Sequence, residues 1–421
     1  MKPSHKITPP EWMTAPATTA VMAALHTGVA GGASPQALFV GGCVRNALLG
    51  CAVTDIDIAT ILTPPQLLPC LKDAGIKVFP TGIDHGTVTA VVGHQSFEIT
   101  TLRRDVATDG RRAVVAFTTD WREDAQRRDF TMNTLLADAQ GHIYDPLGRG
   151  VTDAQDGRVI FVGDPAARIA EDYLRIMRFF RFQALYGKGH ADAAALAACR
   201  AGAAHIPLLS RERITQETLK ILGVENPVAT LTLMFDHDVA LFLRGTPYQP
   251  GDLAAFCHLQ QEHGSIDLWA RLAVLSHFDP DRIGAHLAPS NAQMKFIREL
   301  SALARERPPI GAPRVRDMIY QYGPHLTQQY LLWVSACHGD QQVDSALWHI
   351  ASTYTPPAFP LSGDDAMTIG LKPGVQMGRL LADVKSWWRG QNFAPDHQQC
   401  LDQLIERAQM QRSETQPREN L

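Results

Sequence analysis

Gly41-Gly42-Cys43-Val44-Arg45, followed by Asp55-Ile56-Asp57, sets the reading of the first third of the chain. Ala37-Leu38-Phe39-Val40 runs into the two glycines as a short apolar strand, and Asp55 to Thr60 alternates with period two as a second. On a strand, residues two apart project from one face, so the carboxylates of Asp55 and Asp57 are expected about 7 Å apart, close enough to share metal ions. Hard oxygen ligands of this kind suit Mg²⁺. The side-chain-free Gly41-Gly42 turn lets backbone N–H groups approach a polyphosphate, and Arg45 is placed to bind it too.

Working outward, Gly86 to Gly93 and Phe97 to Leu102 read as a hairpin, and Pro65 to Ala74 as a short helix between strands. Phe97 and Ile99 are expected to face the core, which turns Glu98 to the opposite face as a third carboxylate. Arg127-Arg128-Asp129-Phe130-Thr131-Met132-Asn133 follows. Its Asp129 and Asn133 are spaced i, i+4, so on a helix they share a face that can hold a ribose hydroxyl. The arginines offer planar forks to phosphate oxygens.

A turn-rich segment, Asp145-Pro146-Leu147-Gly148-Arg149-Gly150, closes this mixed α/β region, and beyond Val162 strand signals are scarce. In Glu171-Asp172-Tyr173-Leu174-Arg175-Ile176-Met177-Arg178, positions 168, 172, 175 and 178 follow the spacing of one helical face. Asp172 and Arg175 are then neighbours. A carboxylate accepting from an exocyclic amine, beside a guanidinium donating to the adjacent ring nitrogen, matches the Watson–Crick edges of cytosine and adenine. It mismatches uracil and guanine.

The chain has 421 residues, enough for several domains, with 39 Lys and Arg against 43 Asp and Glu. A net charge of −4 argues against nucleic-acid binding over the whole surface, yet Thr100 to Arg128 holds seven arginines against five acidic residues. Seven scattered cysteines without a C-x-x-C pair point to neither a disulfide framework nor a zinc site, which suits a reducing cytoplasm. No apolar run approaches the length of a membrane span, so a soluble protein with no membrane partner is expected, and a short first helix is expected around Ala20 to Leu25. Oligomeric state is left open.

The ordered set G-G-x-V-R, D-x-D, H-G-T (His85 to Thr87), F-E-I-T-T-L-R, R-R-D-F-T-x-N, Y-D-P-x-G-R-G and E-D-x-x-R-x-x-R resembles the class II tRNA nucleotidyltransferases, the CCA-adding enzymes and their bacterial poly(A) polymerase relatives. Coverage is dense from Phe39 to about Gly187, continues through Ser210 to Ile214, and returns near Gly363 to Trp388. The resemblance implies an α+β head with the DNA polymerase beta type of mixed sheet over residues 1–150, followed by an all-α neck (151–225) and a helical body and tail (226–421). It implies that Asp55 and Asp57 hold two Mg²⁺ ions with Glu98 assisting. It makes Gly41, Gly42, Arg45, Arg128, Asp129, Asn133, Asp172, Arg175 and Arg178 the nucleotide-binding set for CTP and ATP. Arg103, Arg111, Arg112 and Arg181 are assigned to the tRNA, and Asp105, Asp109 and Arg111-Arg112 to the family's mobile loop. The chain departs from the family pattern at Asn46, where an Asp is usual, and at Cys51, where a basic residue is usual. Asn46 keeps a hydrogen-bonding side chain and loses the charge.

The expected reaction is attack of a tRNA 3′-hydroxyl on the α-phosphorus of CTP or ATP with release of pyrophosphate. Alternatives are a poly(A) polymerase, a CC-only or A-only adding enzyme, and a catalytically silent RNA-binding protein on the same scaffold. A His-Asp phosphohydrolase site around His237 or His277 is disfavoured, because neither pairs with a further His and Asp at suitable spacing. Trp387 and Trp388, spaced with Leu380, Leu381 and Val384, are read as packing rather than as an RNA grip.

Overall fold

In the N-terminal part of the chain, apolar residues alternate along short strands and recur at helical spacing between them, and the computed structural model follows that pattern. It describes residues 1–26, 35–109, 112–245, 249–307, 309–337 and 342–415. The strands are β1 (His5–Lys6), β2 (Ala37–Val40), β3 (Ile56–Thr60), β4 (Lys77–Gly82), β5 (Thr87–Val92), β6 (Gln95–Thr101), β7 (Arg103–Asp109), β8 (Arg112–Phe117), β9 (Leu136–Ala137) and β10 (His142–Tyr144). Eight of them form one mixed sheet in the order β1-β10-β9-β2-β3-β6-β5-β4, while β7 and β8 pair separately. The expected hairpin is β5 with β6, and the parallel pair is β3 with β6.

Ile58, Phe97, Ile99, Val88 and Ala90 are fully buried on one face of this sheet. Helices Pro16–His26 and Pro64–Asp73, which match the expected first helix and the expected Pro65 to Ala74 helix, pack against the sheet. Strand β2 ends at Gly41, which caps helix α1 (Gly42–Leu49) at φ +75°. A Cβ on Gly41 would lie 3.3 Å from the Arg128 guanidinium, so the left-handed turn and the close arginine both favour glycine there.

Two expectations about helices are corrected. Asp129 and Asn133 do not share an α-helix, because Thr131–Asn133 forms a single 3₁₀ turn. The run from Arg168 to Arg178 is not one helix either. Helix α2 (Pro165–Glu171) ends at Asp172, whose backbone is extended (φ −158°, ψ 105°), and α3 (Leu174–Tyr186) starts afresh. The break is locally stabilised: the Asp172 carboxylate accepts from the Leu174 backbone N–H at 3.1 Å, a side-chain turn that competes with helix continuation. Helix α4 (Arg211–Leu222) packs on α3, and rings of Phe130, Phe161, Phe179 and Phe182 tie the segment after Asp129 to α3, with the Phe130–Phe182 centroids 4.9 Å apart.

The chain divides into two compact units, residues 1–244 with 286–288, and 245–285 with 289–421. The first holds the sheet and helices α1 to α4. The second is helical among its described residues, and Trp388 is 1% exposed in a core with Leu361, Leu380, Val384 and Leu404, as the packing interpretation expected. Arg389 is paired there with Asp317 at 2.6 Å. No described helix is long and apolar enough to cross a membrane.

Candidate active site

The parallel register of β3 and β6 sets Asp57 directly beside Glu98. Flanking Ile56 and Ile58, with Phe97 and Ile99, turn into the core, which leaves both carboxylates on the other face. Asp55 immediately precedes β3 and is exposed, its Oδ2 accepting from Thr54 Oγ1 at 3.1 Å. Burial, then the charges of Glu98 and Asp55, push the Asp57 carboxyl up to about 6, against the opposing pull of Arg128. Cys43 is buried with its thiol pushed up to about 11 by desolvation; it donates to Val40 O and more weakly to Asp57 O, locking the glycine turn to β3. It is a packing residue.

A cleft of about 730 Å³ opens over these groups. Every residue assigned to nucleotide binding lines it: Gly41 and Gly42 from the turn, Arg45 from α1, Arg128, Asp129 and Asn133 from the segment after β8, and Asp172, Arg175 and Arg178 around α3. Asp55 and Asp57 line it as well; Glu98 does not. The start of α1, with its unsatisfied backbone N–H groups, thus faces a cleft rich in arginine, a suitable place for phosphate.

Asp129 is 8% exposed and joined to its neighbours on all sides. It accepts from Asn133 Nδ2 at 2.9 Å, from the Phe130 N–H at 2.8 Å, and from the Arg178 fork through Nε at 2.8 Å and through Nη2. Burial alone would raise its pKa, but Arg178, Asn133 and the Phe130 N–H together hold it below the usual carboxylate value. The i, i+4 spacing therefore did identify a bonded pair, although a 3₁₀ turn rather than an α-helix joins it.

Asp172 and Arg175 share the cleft but each has another partner. Asp172 Oδ2 accepts from Arg213 at 2.6 Å, and Arg175 Nη1 donates to Glu171 Oε2 at 2.6 Å and to Arg168 O at 2.8 Å. Arg168 does not continue that face: it is buried, donates to the Arg127 and Arg128 carbonyls and to Glu171, and braces the wall of the cleft.

The residues assigned to RNA are dispersed. Arg181 lies in the cleft itself, over the Phe182 ring at 5.0 Å and 3.1 Å from Glu217. Arg103 lies outside the cleft, donating to His85 O at 2.9 Å. The segment assigned to a mobile loop is largely the β7–β8 pair; Arg111 falls outside the described residues, as do the side chains of Asp105, Asp109 and Arg112. Arg127, read as a phosphate donor beside Arg128, lines the cleft, and so do Arg213, Lys220 and Phe182, which were not assigned to it. For Arg213 a signal existed in the Ser210 to Ile214 motif; for Lys220 only the i, i+7 spacing from Arg213 along α4 offered one.

Two family profiles match, one described as the poly A polymerase head domain over residues 37–160 and one as the probable RNA and SrmB-binding site of polymerase A over residues 192–244. The zebrafish (Danio rerio) mitochondrial CCA tRNA nucleotidyltransferase 1 is 32% identical over 391 residues, 86% of each chain. The chain belongs to the CCA tRNA nucleotidyltransferase family. The human mitochondrial CCA tRNA nucleotidyltransferase 1 is 31% identical, covering 86% of this chain and 85% of that one. A CCA-adding enzyme of Limosilactobacillus fermentum is 30% identical over 87% of this chain and 92% of its own. The fold is shared with the Bacillus stearothermophilus CCA-adding enzyme solved in complex with CTP, at a TM-score of 0.76 over 97% of this chain and 100% of that one, with 23% identity.

The carboxylates fit the divalent metal that such nucleotidyltransferases use. Burial first, and then the like charges of Glu98 and Asp55, raise the proton affinity of Asp57, and a cation relieves that repulsion. Asp55 and Asp57, which both line the cleft, supply hard carboxylate oxygens of the kind a divalent cation takes.

Proposed function

We propose that this CCA tRNA nucleotidyltransferase adds C, C and A in turn to tRNA 3′ ends from CTP and ATP, with the residues of the cleft in the following roles. The observation that carries the assignment is the convergence of three groups on one cleft: the Asp55 and Asp57 carboxylates, the Gly41-Gly42 turn, and the Asp172 and Arg175 side chains. Asp55 and Asp57 hold two Mg²⁺ ions, which when bound lower the pKa of the attacking hydroxyl and neutralise charge on the departing pyrophosphate. Glu98, in register beside Asp57, raises the negative potential that draws the metal to that strand.

The turn and Arg128 receive the triphosphate, and the Asp129, Asn133 and Arg178 group orients the ribose. Both bonds of Arg175 leave from Nη1, which keeps Nε and Nη2 for a base edge, while Asp172 offers its remaining lone pairs to an exocyclic amine. Arg103, at the start of β7, meets tRNA phosphates together with Arg111 and Arg112. Arg181, paired with Glu217, supports the cleft wall instead. The cytoplasm is the proposed compartment, on the scatter of seven cysteines that form no disulfide among the described residues.

The test is incorporation into tRNA lacking its terminus, with Mg²⁺ and each nucleotide supplied separately and together. CTP alone should give two added C residues, and both nucleotides a complete CCA end. Long A tracts without C would make the chain a poly(A) polymerase, and arrest after C-C or addition of A alone would make it a partial enzyme. Full turnover in Asp55→Ala would overturn the metal assignment.

A further inference from the structure

Arg45 is 6% exposed, and among the described residues no carboxylate pairs with it. Neutral groups hold it instead. Its Nε and Nη2 donate to Asn46 Oδ1 at 3.2 and 2.9 Å, and Nη2 also donates to the Tyr186 hydroxyl at 2.8 Å. Tyr186 OH in turn donates to Asn46 Oδ1 at 3.1 Å, and the guanidinium lies 4.2 Å from the Tyr186 ring centre. Burial lowers the pKa of Arg45, and the Tyr186 contact works against that.

The remaining end of Arg45 points into the nucleotide cleft. Nη1 donates to Asn133 Oδ1, which directs the Asn133 amide nitrogen to Asp129, whose other oxygen holds Arg178. One hydrogen-bonded series therefore runs from Tyr186, at the last turn of α3, through Arg45 to the group that faces the ribose. Asp129 acts on Arg45 only across Asn133, and a buried guanidinium with no carboxylate bonded to it keeps its place only while its neutral acceptors stay in place. Asn46 stands where an Asp would have supplied that charge.

We infer that Tyr186 is a positioning residue for nucleotide binding, and that it is needed because position 46 is Asn: its hydroxyl completes the neutral seat of Arg45. The inference rests on the cleft being the nucleotide site. Steady-state CMP and AMP incorporation should be measured in full-length wild type, Tyr186→Phe, Asn46→Asp and the double variant. Loss of one hydrogen bond to a charged group should raise the KM for CTP and ATP by ~10-fold in Tyr186→Phe, with kcat within ~2-fold and the KM for tRNA unchanged. In the Asn46→Asp background, where a carboxylate holds Arg45, the same Tyr186→Phe change should cost less than ~3-fold.

A wild-type KM in Tyr186→Phe, a fall in kcat alone, or an equal penalty in both backgrounds would overturn the inference. So would loss of folding in both Tyr186 variants, since the hydroxyl would then act on core packing rather than on Arg45. Failure of the wild type itself to incorporate CMP would count against the function, whereas an active wild type with indifferent variants counts only against Tyr186.

Discussion

Asp129→Asn tests the bonded group at the centre of the cleft. The native carboxylate accepts from Arg178 on one oxygen and from Asn133 and the Phe130 N–H on the other. An amide of the same shape keeps one oxygen and turns an N–H₂ toward donors, so one side of the residue faces either the Arg178 fork or Asn133 without an acceptor. Breaking a fully buried ion pair costs about 3–5 kcal/mol, and a buried unsatisfied polar group about 1–3 kcal/mol. Asp129 is 8% exposed, but the Arg178 side chain keeps a third of its surface in solvent, which lowers the first figure. The expected loss of stability at pH 7 is therefore about 2–4 kcal/mol, read by urea unfolding against wild type. Because the folded carboxyl titrates below its unfolded value of 3.8, its contribution is complete above that value and is lost as pH falls through the lower folded one. The penalty should hold from neutral pH down to about pH 4 and shrink below it. A penalty under about 0.5 kcal/mol at pH 7, or one that grows in acid, would refute the reasoning.

Gly86→Ala places a Cβ at φ +79°, 2.6 Å from the Phe117 ring and 3.2 Å from Thr101, and should lower stability by about 2 kcal/mol in thermal unfolding, with part recovered by adding Phe117→Ala; an unaltered midpoint would count against that packing. Trp388→Ala removes a ring packed on Tyr320, Phe359 and Phe393 and an Nε1 donor to Pro395 O, and should cost about 3–5 kcal/mol by denaturant titration, whereas a surface-like loss would show that the ring is not core. His325 is raised in pKa by its bond to Asp267, so its contribution is complete below the unfolded value of 6.5 and fades as pH rises through the higher folded one. The difference in melting temperature between wild type and His325→Gln should accordingly be largest near pH 6 and diminish in alkali, and a pH-independent difference would contradict the pairing.

The central strands β2, β3, β5 and β6 were legible because each carries its own signal, whereas the short or exposed β1, β4, β9 and β10 were not read from the sequence. Ile56, Ile58, Phe97 and Ile99 alternate with carboxylates, so the face followed from period two, whereas the register that sets Asp57 beside Glu98 did not. The cleft was legible where a motif brings its chemistry along the chain, as at Gly41-Gly42 and Asp129 with Asn133. What periodicity could not show was the break at Asp172: the 3-4 spacing continues through it, while the backbone there is extended and the carboxylate accepts from the Leu174 N–H. Nor could local sequence show how Arg45 is held, since Tyr186 lies 141 positions away and meets it only after α3 folds back. The place of Arg181 is a similar case: its seat in the cleft beside Glu217 of α4 depends on a partner that local sequence does not indicate.

The central claim is that protein side chains, not a nucleic-acid template, select the base. It is tested most directly by single-turnover incorporation of each of the four nucleotides into tRNA lacking its terminus, comparing wild type with Asp172→Ala. The wild type should incorporate CTP and ATP and exclude UTP and GTP, and the variant should lose that discrimination while retaining metal-dependent transfer. Undiminished selectivity in Asp172→Ala would contradict the claim.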